Sequence, residues 1–217
     1  AAGWMAGALK ADLRSSTAAL LDVAAPRVLD AYVDLFGGLA RSHGVTLVAP
    51  SAWLPNEESA IVNQSLVFGP DGGILGRQAK VLGYSEDDDI VARGATWDVI
   101  PTEVGRLGLM LGSDVLYPEV GRVLAYQGAE MLVVQAACQT PAFFSKVRSG
   151  ILARMQDNQI FAAASFAVGE NPLRPAGASP YQGKSALFAP QEMTPRYNGV
   201  LVEMGGQQSE GVLTAEW

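Results

Sequence analysis

The sequence predicts an α/β fold, with helices layered on a mixed sheet, and three observations predict it. Short, almost continuously apolar strands alternate with helices whose apolar residues keep to one stripe. An early pair of strands is joined by GPDGG, the strongest hairpin signal in the chain. Across 217 residues, 49% are hydrophobic and only 17% charged, enough to fill a sizeable core.

The elements follow in order. Pro26–His43 places Val28, Tyr32, Leu35, Phe36 and Leu39 at helical spacing, with Pro26 suited to the start and Gly44 to the stop. Val45–Pro50 (VTLVAP) is a short strand. Ile61–Phe68 and Ile74–Leu82 flank the GPDGG turn as the hairpin. Arg106–Gly112 is a buried strand, Glu119–Gln127 a short helix, and Glu130–Cys138 another apolar strand. A longer helix spans Phe143–Asn158, with Phe144, Val147, Ile151 and Met155 on one stripe. FAAASFAVG, KSALFAP and GVLVEMG read as three further strands. The polar, proline-rich loop Glu170–Gln182 is of the kind that borders pockets.

Composition excludes several functions. A net charge of −7 and a pI near 4.7 argue against general affinity for nucleic acid, which needs clustered Lys and Arg. No apolar run approaches bilayer length, and no basic-then-apolar leader opens the chain, so no membrane partner is expected. One cysteine, Cys138, cannot form an internal disulfide, which fits a reducing, cytoplasmic setting. With His43 the lone histidine, a His/Cys zinc cage is implausible, and no metal or cofactor is expected. No phosphate-loop pattern appears. The chain opens without an initiator methionine, and its amino-terminal boundary reads as artificial.

Five landmarks in order then carry a family likeness. NQSLVFGPDGGILGRQAKV is a hairpin ending in Lys80. GLMLGSDVLYPEVGR is a strand, a polar corner and a helix start, with Asp114, Pro118, Glu119 and Arg122. GAEMLVVQAA is the strand after it, and ARMQDNQIFAAASFAVG a helix-to-strand unit with Arg154 and Asn158. GKSALFAP carries Gly183, Ser185 and Pro190. In these the chain resembles the nitrilase superfamily, the carbon–nitrogen hydrolases that include amidases, carbamoylases and nitrilases. The resemblance implies a four-layer α-β-β-α sandwich, here amino-terminally incomplete. Residues 1–25 would be an irregular remnant and 26–217 a single hydrolase-like domain, paired into a homodimer or higher homo-oligomer.

The chemistry so implied has three parts. A cysteine thiolate attacks the carbonyl or nitrile carbon, a glutamate acts as general base and acid, and a lysine stabilises the oxyanion. Lys80 matches the lysine. Glu86 resembles a further glutamate that some members use to orient substrate, though the neighbouring Asp87, Asp88 and Asp89 also suit a solvated acidic loop. The nucleophile position, two residues before Asp114, holds Gly112, which has no side chain to attack with. Ser113 is adjacent, but neighbouring residues at a strand end point in roughly opposite directions, and no activating base is evident. Cys138 ends a different strand, and free cysteines are commonly buried and inert. The first 56 residues contain no glutamate, so the general base is missing from the sequence given, and it is expected either to be lost or to lie on sequence upstream of Ala1.

The expectation is therefore a carbon–nitrogen hydrolase domain whose thiol chemistry is gone and whose pocket persists. Lys80, Glu86, Ser113, Asp114 and Tyr117 are its candidate binding residues, and a small amide, nitrile or carboxylate its ligand. Lys80, the Gly112 backbone and the start of the Glu170–Gln182 loop are expected to converge on one cavity. Two alternatives stand beside it: an active hydrolase of small amides with a rearranged nucleophile, and a structural subunit pairing with an active relative.

Overall fold

A computed structural model describes residues 16–83, 91–170 and 177–216. The architecture is α/β, and the chain divides into two compact units. The first runs to Thr96 and includes Thr102–Val104; the second holds Trp97–Pro101 and the chain from Gly105 onward.

The first unit begins with helix α1, Ser16–His43, followed by β1 (Leu47–Val48), β2 (Ala52–Pro55), β3 (Ile61–Phe68) and β4 (Ile74–Ala79). Two expectations are corrected here. Residues 16–25, expected to be irregular, are helical, and Pro26 lies inside the helix rather than at its start. An interior proline costs about 3 kcal/mol. The alanine- and leucine-rich STAALLDVAA ahead of it is strong helix-forming sequence, which offsets that cost. The helix ends as Gly44 predicts. At φ +60°, Gly44 lets its own N–H reach Arg41 and the Val45 N–H reach Ala40, a Schellman closure.

α1 presents Tyr32 and Ala40, with the partly buried Leu29, Val33 and Phe36, to Leu54, Leu66 and Phe68 of the sheet. Strand β3 is the sheet's spine. It pairs antiparallel with β1 and β2 along one edge and with β4 along the other. In the β3–β4 turn Gly72 has φ +80°, and a Cβ there would meet the Gly37 carbonyl oxygen at 2.6 Å. The same turn accepts a hydrogen bond from Arg41 Nε at the Asp71 carbonyl, 2.8 Å away, so helix end and hairpin are tied together.

The second unit is a six-stranded sheet in the order β10-β9-β8-β7-β6-β5. Its strands are β5 (Val99–Thr102), β6 (Gly105–Leu111), β7 (Met131–Ala137), β8 (Phe161–Ala167), β9 (Ala186–Phe188) and β10 (Val200–Glu203). β6, β7 and β8 are parallel neighbours, joined through α2 (Pro118–Tyr126) and α3 (Pro141–Asn158). This is the arrangement their apolar runs predict. Gly108 lies beneath Leu124 of α2, and the Phe166 ring meets Phe144 of α3 edge-on at 5.2 Å. By strand alternation, Leu132, Val134 and Ala164 share that helix-covered face. Among the described residues, no helix is long and apolar enough to cross a membrane.

Candidate functional site

The corner after β6 is built from backbone upward. Gly112 takes φ +56°, a left-handed conformation that L side chains rarely adopt, and opens a short 3-10 turn over Gly112–Leu116. Asp114 is completely buried, and its Oδ2 accepts the Leu111 N–H at 3.4 Å. Its carbonyl accepts the Tyr117 N–H at 3.2 Å, leading into α2 at Pro118. Ser113 is buried and Tyr117 half-buried. The outer side of the corner is closed by α3, where Gly150 allows its backbone to approach the Val115 carbonyl.

Cys138 follows β7 and is fully buried. Burial pushes its thiol up to about 11, because the thiolate would lose its hydration. At neutral pH roughly one such thiol in ten thousand is ionised. Its carbonyl accepts the Gln182 N–H at 2.9 Å, which anchors the far end of the Glu170–Gln182 loop. Residues 171–176 of that loop, and Glu86, lie outside the described residues.

Lys80 belongs to the first unit and comes directly after β4. Its N–H donates to the Asn63 carbonyl at 2.7 Å, and its own carbonyl accepts the Gly94 N–H at 2.8 Å. The lysine backbone is thus fixed on both sides and its side chain is half-buried. Extending the register of Gln64 opposite Ala79 by one pair sets Asn63 opposite Lys80. On the other edge of β3, Asn63 stands opposite Trp53.

Other landmark residues hold the second unit together. Arg154, 8% exposed, lays its stem over Gly121 and pairs with Asp157 at 3.6 Å. Asn158 Nδ2 donates to the Arg154 carbonyl at 2.7 Å, and Arg122 reaches the Asp157 carbonyl. Gly183 is pressed on Phe166, where a Cβ would come within 2.4 Å of the phenylalanine Cβ. Ser185 Oγ accepts the Phe166 N–H at 3.0 Å. His43 is exposed at the end of α1. Sequence reasoning did not single out Asn63, although the hairpin turn fixes the register that sets it opposite Lys80.

The fold and these landmarks define a class. The fold is shared with the Nit3 protein of Saccharomyces cerevisiae, a nitrilase-superfamily member, at a TM-score of 0.70 and 20% identity. That match covers 82% of this chain and 62% of the yeast one. The family model described as carbon-nitrogen hydrolase matches residues 3–217, and the chain belongs to that family. It is 26% identical over 180 residues to a probable hydrolase of Bacillus subtilis, covering 79% of this chain and 33% of that protein. An omega-amidase of Xenopus laevis is 24% identical over 197 residues, covering 84% of this chain and 65% of the amidase. The chain therefore spans less than two thirds of the length of each.

Proposed function

We propose that this chain is a carbon–nitrogen hydrolase domain that has lost thiol catalysis and retains a small-ligand site at Lys80. The observation that carries the reading is Gly112 at the end of β6, where the family resemblance calls for the nucleophile. The substitutes nearby are unsuited to attack. Ser113 is only 2% exposed, and the Cys138 sulfur is buried and held protonated. Covalent catalysis needs a nucleophile within about 3 Å of its base and substrate, and an enclosed neutral thiol offers no such approach.

What remains is Lys80, a half-buried residue on a fixed backbone, and a lysine ammonium is chemically suited to a carbonyl or carboxylate oxygen. The amidase among the relatives supports a small amide as the ligand class. Incubation with a panel of small amides and nitriles, followed by intact-mass measurement, tests the loss of catalysis. Titration with the same compounds tests the retained site.

A further inference from the structure

We propose that Asn198 is a site of spontaneous deamidation, poised by the turn that leads into β10 and held in check by the Thr194 hydroxyl. The site lies in the second unit and owes nothing to the reading of Lys80 given above.

The sequence supplies the chemistry. Of the asparagines Asn56, Asn63, Asn158, Asn171 and Asn198, only Asn198 precedes a glycine. In an Asn-Gly pair no side chain shields the following backbone nitrogen, and glycine's conformational range lets that nitrogen reach the asparagine Cγ. Hydroxide removes the Gly199 amide proton, and the nitrogen attacks Cγ to form an N–Cγ bond. The Cγ–Nδ2 bond breaks and ammonia leaves, giving a five-membered succinimide. Water then opens the ring at either carbonyl. The products are aspartate and isoaspartate, the second with a methylene added to the backbone.

The structure poises this reaction. Asn198 is exposed, so water reaches its side chain. Its Oδ1 accepts the Val200 N–H at 3.1 Å, which turns the side chain back along its own backbone. That donor sits on the oxygen where negative charge collects as Cγ is attacked. Tyr197, just before it, holds φ +52°, an outlier for so bulky a side chain, and opening the turn relieves that strain.

The attacking nitrogen is the guarded atom. Gly199 is buried, and its N–H donates to Thr194 Oγ1 at 3.1 Å. Thr194 is buried too, and its hydroxyl donates in turn to the Gln191 carbonyl at 2.9 Å. An N–H engaged in this way meets hydroxide only after the turn opens.

Isoaspartate here would displace β10. A Cβ on Gly199 would lie 2.9 Å from Met155 Cε and 3.0 Å from Leu152 Cδ2, and the Gly199 carbonyl accepts the Ala189 N–H at 3.2 Å. So tight a seat has no room for a longer backbone, and Val200–Glu203 must shift against β9. Glu203, which receives Arg148 and Lys184, moves with it. Aspartate, by contrast, keeps the acceptor for Val200.

The test is incubation of the full chain at mildly alkaline pH, with peptide mapping for aspartate and isoaspartate at position 198. The folded chain is expected to deamidate there about tenfold more slowly than the same chain unfolded in urea. Thr194→Val should speed the folded-state reaction about fivefold to tenfold, the worth of one hydrogen bond, whereas Thr194→Ser keeps the hydroxyl and should stay slow. Asn198→Gln, which would need a six-membered ring, should give no product. Equal rates in the Val and Ser variants, or in the folded and unfolded chain, overturn the restraint by Thr194. Absence of product at Asn198 in the unfolded chain overturns the site itself. Should Thr194→Val not fold, amide hydrogen exchange at Gly199 of the unmodified chain decides: protection is expected, and exchange at the free-peptide rate overturns the restraint.

Discussion

Asp114 reaches back three residues to take the Leu111 N–H on its carboxylate, so the corner after β6 is closed by its own side chain. The aspartate is completely buried. In a chain without a thiol at Gly112, this residue holds the strand end in shape whether or not chemistry occurs there.

Asp114→Ala is accordingly expected to destabilise the chain by about 2–3 kcal/mol, because it strands a buried donor and leaves a void. Asp114→Asn, which keeps an acceptor, should cost less. Urea denaturation of both variants measures the difference. Equal, negligible losses would show that the corner does not depend on this carboxylate.

Stability should also fall at high pH through Cys138. Its folded value is raised, to about 11, above an unfolded value near 9. The folded state therefore holds its proton longer, and stability is full below about pH 9 and declines toward pH 11, by roughly 2–3 kcal/mol. Tyr32, pushed up to about 12 by burial, adds loss in the same direction at higher pH. Cys138→Ala should flatten the decline between pH 9 and 11 while leaving the loss due to Tyr32. An unchanged slope in that variant would contradict the assignment.

At low pH the relevant group is Glu203 on β10. Arg148 Nη2 donates to its Oε2 at 2.9 Å and Lys184 Nζ to its Oε1 at 3.1 Å. The hydrogen bond from Arg148, aided by Lys184, lowers its pKa against the opposing effect of burial. A depressed folded value means that this stability is present above the unfolded glutamate range. It is lost as pH falls through the folded value. Glu203→Gln should cost about 1 kcal/mol at neutral pH and progressively less in acid, since the pair is partly exposed. Unfolding curves from pH 7 down to 3 check this, and a cost independent of pH would refute it.

Much of the fold was legible in the sequence, and the reason varies by element. Ile61–Phe68 was readable residue for residue, because the GPDGG turn fixes where the strand ends. β6, β7 and α3 agree with their apolar patterns to within two residues at each end. β2 and β5 were not readable: four residues each, they owe their strand conformation to a partner strand rather than to a pattern of their own. The turns of α1 before Pro26 were hidden by a local rule, proline at a helix start, that helix propensity overrode.

The candidate site was legible in part. Lys80 and Gly112 stand out because their motifs are local. The buried state of Ser113 and of Cys138 depends on what packs over them, which no motif records.

The central claim is that this chain performs no covalent thiol catalysis. The most direct measurement is intact-protein mass spectrometry after incubation with small amides and nitriles, with peptide mapping of any adduct. The account predicts an unchanged mass for the unmodified chain. A stoichiometric acyl adduct on Ser113 or Cys138 would contradict it and establish a working hydrolase with a rearranged nucleophile.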